Sequence, residues 1–348
     1  MKKYNQSLEY YQKSLKLNKK LSKQDNISES IYYNKIGLIY NNQDKYSKAL
    51  KYFQKSFDIL EKLYGKNSIS IASIYVNMGL VFEAKAKYNK ALEYYRMALK
   101  IKLAKYGQNH ISTANTYNNL GIIFDAKNNF DKALKYYNIS LKIKKKIYGN
   151  SHISMAITYN NIGAIYNKQG DIDKALKYFK KSLSINTSVY GKFHISTAKI
   201  YNNVGYIYNS KKQYKKALRY YKLALLIKRK AYGSNSISNA MSYNNIGVLY
   251  KTISKYDKAL YYLQKALKIS KKVHGENNKY TALFYNNISK TYYQQHKYQK
   301  AFDLMEKTVN IRKKLFKSDN RSLKASIKNL KVIKSKLDKE TKKQTPTK

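Results

Sequence analysis

Glycine and alanine recur along this chain at a fixed spacing of 42 residues. Six glycines share one position of the period, and a serine takes the next slot: Gly37, Gly79, Gly121, Gly163, Gly205, Gly247 and then Ser289. Seven alanines share another: Ala49, Ala91, Ala133, Ala175, Ala217, Ala259 and Ala301. A period of this length is typical of chains in which each unit buries its apolar face only by stacking on its neighbours. The spacing therefore predicts one elongated array.

Each 42-residue unit contains two stretches with helical periodicity. In one unit Tyr159, Ile162 and Tyr166 form an apolar stripe, and Gly170 and Asp171 then suit the end of one helix and the cap of the next. Further glycines, again 42 residues apart, end the second stripes: Gly65, Gly107, Gly149, Gly191, Gly233 and Gly275. We predict two helices per unit. They pack closely at the glycine and alanine slots, because a larger side chain there would wedge the backbones apart.

A motif recurs in register with these slots. It consists of an aromatic residue, Leu or Ile followed by Gly, a second aromatic, and an Ala with another aromatic four residues later. One copy reads Tyr33, Ile36, Gly37, Tyr40, Ala49 and Phe53, and another reads Tyr117, Leu120, Gly121, Phe124, Ala133 and Tyr137. This motif resembles the signature of the tetratricopeptide repeat, whose usual unit has about 34 residues. The longer unit, with its Gly-x-x-His-Ile-Ser-x-Ala linker, is similar to the kinesin light chain subclass. The resemblance implies an all-α, right-handed α-solenoid of tandem two-helix units.

The repeats also predict a domain organisation. Tyr4 and Ser7 fall 42 residues before Tyr46 and Ala49, so the sequence opens on a second helix whose first helix is missing. Either a truncated reading frame or a first helix supplied by another chain would explain this. We predict a partial repeat and linker at 1–27, seven units over 28–317, a capping helix at 318–338, and a disordered basic tail at 339–348.

Composition excludes several classes of function. The chain has no cysteine, so disulfide frameworks and thiolate metal sites are ruled out. No secretory h-region follows the first residues, and no apolar run has the length of a membrane span, so we expect a cytoplasmic protein.

Candidate catalytic groups are few. His110, His152 and His194 recur every 42 residues, but successive units lie too far apart for them to share one zinc ion at ~2 Å. We predict that these histidines cap helices locally. Asp171 and Asp173 form the one close carboxylate pair, in a turn where capping is a sufficient role. Phosphate-binding glycine loops and nucleophile elbows are missing from the sequence. We predict a protein without enzymatic activity, cofactor, metal or small-molecule substrate.

The tetratricopeptide resemblance implies where a ligand binds. It places the residue after the stripe tyrosine on the concave groove of the array: Asn34, Asn118, Asn160, Asn202, Asn244 and Asn286, with Val76 in one unit. An amide that donates and accepts can hold the backbone of an extended peptide. Neighbouring groove residues change from acidic to basic along the chain and would orient that peptide: Glu83, Asp125, Asn167, Asn209 and Lys251. The neighbouring asparagines could instead serve local hydrogen bonds to the backbone.

Charge supplies an alternative function. Seventy Lys and Arg oppose nineteen acidic residues, and none of the acids lies between Lys174 and Tyr256. Basic clusters recur late in the second helices and include Lys144, Lys145, Lys228, Arg229, Lys230, Arg312 and Lys313. Stacking would align them into a basic edge for nucleic acid, an anionic membrane or an acidic protein. Complementing the helix dipole, or A/T-rich codon usage, would also explain the lysines.

Our principal prediction is a scaffold or adaptor that binds peptide segments of other proteins in the groove.

Overall fold

The computed structural model describes residues 2–21 and 26–344, with side chains for 5–21 and 26–342. This part of the chain forms sixteen α-helices and no strand, which confirms the predicted all-α class. The first helix is α1 (Lys2–Leu21), and the last is α16 (Arg321–Gln344). The first helices of the repeats are α2 (Ile27–Asn42), α4 (Ile69–Ala84), α6 (Ile111–Ala126), α8 (Ile153–Lys168), α10 (Ile195–Ser210), α12 (Ile237–Thr252) and α14 (Lys279–Gln294). The second helices are α3 (Tyr46–Tyr64), α5 (Tyr88–Tyr106), α7 (Phe130–Tyr148), α9 (Ile172–Tyr190), α11 (Tyr214–Tyr232), α13 (Tyr256–His274) and α15 (Tyr298–Leu315).

A single helix lies at each end of the described part of the chain. The single helix α1 precedes the first pair, at the position predicted for a second helix without its partner. Helix α16 follows the last pair and continues past Asp338 to Gln344, into the segment where we expected a disordered tail. Residues 22–25 of the predicted linker and 345–348 of the predicted tail lie outside the described residues.

The chain divides into two compact units, residues 1–165 (unit 1) and 166–348 (unit 2), with the boundary inside α8. In unit 1, α2 packs on α3, α4 on α5 and α6 on α7, and each pair contacts the next. In unit 2 the pairs are α10 with α11, α12 with α13 and α14 with α15, while α9 packs on α10 and α16 on α15.

The two helices of a pair approach each other closely at the glycine slot. A Cβ added to Gly121 would lie 2.6 Å from Cε1 of Tyr137, and one added to Gly79 would lie 2.5 Å from Cε1 of Tyr95. Both tyrosines are fully buried, so their rings have little room to move. Ser289 occupies the slot of the last pair, and its hydroxyl donates to the carbonyl oxygen of Ala301 at 2.6 Å. At Gly79 and Gly121 the ring of the second helix therefore sets the size limit of the slot.

Caps fix the start of each first helix. Nδ1 of His110 accepts from the backbone N–H of Ser112 at 3.1 Å, and Nδ1 of His194 accepts from that of Ser196 at 3.2 Å. The ring of His110 also stacks on Tyr106, with centroids 4.0 Å apart. The predicted capping role of these histidines is confirmed.

Both ends of α9 also carry capping residues. The carboxylate of Asp171 accepts from the backbone N–H of Lys174 at 3.0 Å and so caps the helix, as predicted. Gly191 ends it with φ 83°, in the left-handed region that favours glycine.

We expect Gly121→Ala to destabilise the protein. Alanine favours a helix over glycine by about 1 kcal/mol, so any net loss reports the contact of the new methyl group with the ring of Tyr137. The loss should be on the order of 1–3 kcal/mol in the free energy of unfolding, measured by urea denaturation. The control is Asn115→Ala on the exposed side of α6, which should be close to neutral. A Gly121→Ala protein as stable as the wild type would contradict the steric account.

Candidate functional site

Two amide hydrogen bonds each join successive first helices. We call the side that carries Asn34 and Asn77 in unit 1, and Asn244 and Asn287 in unit 2, the first-helix face of that unit. In unit 1, Nδ2 of Asn77 donates to Oδ1 of Asn34 at 2.8 Å. In unit 2, Nδ2 of Asn287 on α14 donates to Oδ1 of Asn244 on α12 at 2.7 Å. Asn77 and Asn287, each one position after the groove slot of its own helix, thus bind the groove candidates Asn34 and Asn244 of the preceding repeat. This role was missed from the sequence, although the recurring Asn-Asn pair was its signal.

The groove candidates differ in how much of them is accessible. The buried ones are Asn118, Asn160, Asn244 and Asn286. The half-buried ones are Asn34, Asn202, Glu83, Asp125, Asn167, Asn209 and Lys251. Asn118 is engaged within unit 1, because its Oδ1 accepts from the hydroxyl of Thr158 at 3.0 Å.

Helix α10 carries two amide oxygens that differ from this ladder. Oδ1 of Asn202 and Oδ1 of Asn209 are both buried and have no hydrogen-bond partner within residues 2–21 and 26–344. The two residues are seven positions apart, two helical turns, and so share one face of α10. A buried acceptor without a donor costs about 1–3 kcal/mol, so a ligand that donates to these atoms would recover that energy.

The acidic candidates lie on α4 and α6 in unit 1. The carboxylate of Glu83 accepts from the hydroxyl of Tyr95 at 2.8 Å. Burial raises the pKa of Glu83 above its ordinary value, and the hydrogen bond from Tyr95 acts in the opposite direction. Glu83 therefore already has one internal partner.

The basic candidate Lys251 lines a pocket at the end of unit 2. The pocket has a volume of about 260 Å³ and is lined by Lys251, Lys290, Tyr293, Gln294, Met305, Asn329, Val332 and Ile333. Burial, and secondarily the charge of Lys290, lower the pKa of Lys251. Met305 and Ile333, fully buried on α15 and α16, give the pocket an apolar floor. Two ammonium groups over an apolar floor suit a carboxylate with an apolar neighbour.

Some residues of the predicted basic edge point into the stack instead of toward solvent. Lys144 is 3% exposed, and its Nζ donates to the carbonyl oxygen of Ser154 at 3.0 Å and to the hydroxyl of Thr158 at 3.3 Å. Lys102, which was not part of the predicted edge, is likewise 5% exposed, and its Nζ donates to the hydroxyl of Thr116 at 2.9 Å. Burial lowers the pKa of each ammonium group to about 8.

The same arrangement recurs in unit 2. Nζ of Lys228 donates to the hydroxyl of Ser242 at 3.1 Å. The buried guanidinium of Arg312 donates to the carbonyl oxygen of Ser322 at 2.8 Å and to the hydroxyl of Ser326. Of the predicted edge, Lys145, Arg229, Lys230 and Lys313 are exposed.

The sequence carries a signal for these buried cations. Each cation is followed 14 residues later by a hydroxyl: Lys102 and Thr116, Lys144 and Thr158, Lys228 and Ser242, Arg312 and Ser326. In the other repeats an uncharged residue stands at the position of the cation, and an apolar residue stands at the position of the hydroxyl: Leu60 and Ile74, Asn186 and Ile200, Ser270 and Phe284.

Two further findings concern the described part of the chain. Its side chains contain no group of three or more His, Cys, Asp or Glu residues that could hold a metal ion. None of its helices combines the length and apolar character needed to cross a bilayer.

Solved structures show the same class of fold. A putative kinesin light chain from Podosopora anserina with nearly identical TPR-like repeats is 17% identical, with a TM-score of 0.52 over 60% of this chain and 99% of that one. The quorum sensor NprR from B. thuringiensis is 16% identical, with a TM-score of 0.69 over 88% of this chain and 83% of that one. RapI is 17% identical, with a TM-score of 0.62 over 82% and 98%. A comparison with curated proteins finds no match.

The paired helices and the ladder between them are those of a repeat scaffold for protein–protein interaction. The family model described as Tetratricopeptide repeat matches residues 1–62, 28–104, 70–146, 154–230, 196–272 and 239–314. The chain belongs to the tetratricopeptide repeat family, as the sequence predicted.

The buried lysines predict a pH dependence of stability. Because the folded pKa of Lys102 is about 8, below its ordinary value of 10.5, the unfolded chain binds more protons between these two values. The contribution of Lys102 to stability should therefore rise as the pH increases through this window. Relative to Lys102→Met, the wild type should gain on the order of 2 kcal/mol between pH 7 and 10 in urea unfolding.

Comparison with a second variant isolates burial from charge. Lys100 lies exposed on the same helix, so Lys100→Met should leave the pH dependence of the wild type unchanged. If Lys102→Met follows the wild type at every pH, the ammonium group is not desolvated in the folded protein.

Proposed function

We propose that the chain is a scaffold that binds an extended peptide segment of a partner protein along its first-helix faces. The observation that carries this proposal is the pair of buried amide oxygens without a hydrogen-bond donor in the described residues, those of Asn202 and Asn209 on α10. Folded proteins leave few buried acceptors without a donor. Backbone N–H groups of a bound peptide would supply donors whatever the sequence of that peptide.

The spacing of the two asparagines favours one peptide conformation. Seven residues of helix rise about 10 Å, at about 1.5 Å per residue. An extended polyproline II segment returns to the same orientation every three residues, after about 9 Å. Two N–H groups three residues apart in such a segment would reach both oxygens, whereas the alternating N–H groups of a β-strand would not both point at α10.

Charge gives each unit its own preference. In unit 1, Glu83 and Asp125 favour a segment with basic side chains. In unit 2, Lys251 and Lys290 favour a carboxylate. Since each neutral hydrogen bond contributes only about 0.5–1.5 kcal/mol net, we expect micromolar affinity.

Likeness in fold adds support of a general kind. Among the similar structures, NprR is described as a quorum sensor, and another protein as a putative kinesin light chain. Both names are compatible with a scaffold that responds to other molecules by binding them.

We call the proposed contact of a peptide with Asn202 and Asn209 the amide clamp, and a double variant tests it. A peptide is selected on the intact chain from a displayed library, and its affinity is measured by isothermal titration calorimetry. Asn202→Ala with Asn209→Ala should weaken binding roughly 10- to 100-fold, the equivalent of losing two hydrogen bonds. Ser210→Ala, an exposed change on the same helix, is the control and should have no effect. Unchanged affinity in the double variant would refute the clamp.

Salt dependence separates this function from the alternative of an anionic partner on the exposed basic residues Lys145, Arg229, Lys230 and Lys313. Binding to nucleic acid should weaken by about one log unit of affinity per log unit of salt for each phosphate contact. Binding to the amide clamp should change much less over the same range.

A further inference from the structure

A cavity opens between the second helices α9 and α11 in unit 2. Its volume is about 580 Å³, and it is lined by Lys180, Leu183, Ser184, Thr187, Lys192, Phe193, Tyr201, Arg219, Tyr220 and Leu223. Only Tyr201 comes from a first helix. This cavity is therefore separate from the amide pair on α10 and from the pocket of Lys251.

The first unusual feature of the cavity is Phe193. The equivalent position of the other linkers is polar: Asn67, Asn109, Ser151, Asn235 and Asn277. Phe193 is 63% exposed, although it is a large apolar side chain in a register where the chain otherwise uses small polar residues. An exposed aromatic side chain that breaks the repeat pattern has no role in the stack, which folds without it at the other linkers.

The second unusual feature is the end of α9. Ser184 and Thr187 stand where α7 has Lys142 and Lys145, and where α13 has Lys268 and Lys271. Of the second helices α3 to α13, α9 alone has no basic residue in its last turn. Short side chains at these two positions leave the space that long lysines would fill. The cavity thus results from local departures from the repeat.

Charge restricts the ligand. Lys180, Lys192 and Arg219 lie around the cavity, and the chain has no acidic residue between Lys174 and Tyr256. A ligand that brings carboxylates would meet three cations from one stretch of chain that has no acidic side chain of its own.

The rings lining the cavity disfavour nucleic acid. Tyr220 already stacks on Tyr208, with centroids 5.5 Å apart, and contacts Tyr201 at 5.7 Å. Phe193 is therefore the one exposed ring of this lining, whereas nucleic-acid binding stacks successive bases on several free aromatic faces. Leu183 and Leu223 offer apolar surface that suits an aliphatic or aromatic side chain.

We propose that this cavity is a second docking site, which takes an acidic segment of a partner protein that inserts a bulky apolar side chain between α9 and α11. Phe193 covers the inserted side chain, and Lys180, Lys192 and Arg219 pair with the flanking carboxylates. With the first-helix faces, the site would let one chain hold two segments at once.

The test uses the full chain and a defined probe set. The probes are fluorescein-labelled peptides with three Glu or Asp residues on each side of two central residues drawn from Leu, Ile, Met and Phe. Binding is measured by fluorescence anisotropy at physiological salt. We expect at least one probe to bind, and to lose affinity at least tenfold when Lys replaces its acidic flanks or Ser its centre.

Two variants restore the residues of other repeats. Phe193→Asn gives the linker residue found at Asn235, and Thr187→Lys gives the side chain found at Lys145, which fills the cavity. Each should weaken the bound probe at least tenfold while thermal unfolding stays unchanged. Asn277→Ser, in the same register of another linker, should not change binding.

The outcomes decide between sites and between ligands. Asn202→Ala with Asn209→Ala should leave probe binding intact, so failure of the groove proposal would not affect this one. The proposal is overturned if no probe binds, or if Phe193→Asn and Thr187→Lys bind as the wild type does. It is equally overturned if a labelled single-stranded oligonucleotide binds more tightly than every probe and loses that affinity in Phe193→Asn.

Discussion

The contact between a glycine backbone and a buried ring determines the geometry of the helix pairs at Gly37, Gly79, Gly121 and Gly205, and Leu263 takes the place of the ring at Gly247. The tyrosine or phenylalanine on the second helix occupies the space that a Cβ on the first helix would need, as at Gly121 and Tyr137. This contact fixes how closely the two helices approach and how they are rotated. In each unit, asparagines of successive first helices then meet on one side, as Asn77 does with Asn34 in unit 1 and Asn287 with Asn244 in unit 2.

Between pairs the chemistry is not uniform. Some interfaces bury a cation against a hydroxyl, as Lys102 does with Thr116, and others are apolar at the same place, as with Leu60 and Ile74. A buried ammonium group contributes little net stability, since its desolvation offsets its hydrogen bonds. The buried ammonium group contributes specificity instead, because a neighbouring repeat without a hydroxyl at that position would leave the group without an acceptor. We regard these cations as elements that specify which repeat stacks on which.

Much of the fold could be predicted from periodicity, because glycine slots, apolar stripes and capping residues are local signals. The direction of a long side chain is not local. Lys144 and Lys145 look alike in a lysine-rich helix end, yet one is buried and the other exposed, and only a threonine 14 residues on distinguishes them. The resemblance assigned the asparagines to a groove, but the bonds of Asn34 and Asn244 to the following repeat required the structure. The cavity beside Phe193 was also missed, since a single departure from a repeat shows its effect only when the neighbouring helices are in place.

The matched cations bear on how such a chain can gain or lose copies. Unequal crossing-over between similar DNA units would delete 42 residues at a time and create one new junction. Loss of residues 111–152 would bring Lys102 to Thr158, an equivalent hydroxyl, and the junction would be tolerated. Loss of residues 69–110 would instead place Leu60 against Thr116. The hydroxyl of Thr116 would then face an aliphatic side chain, because its ammonium donor Lys102 lies in the deleted segment. Copy number in this lineage should therefore drift more readily at some boundaries than at others.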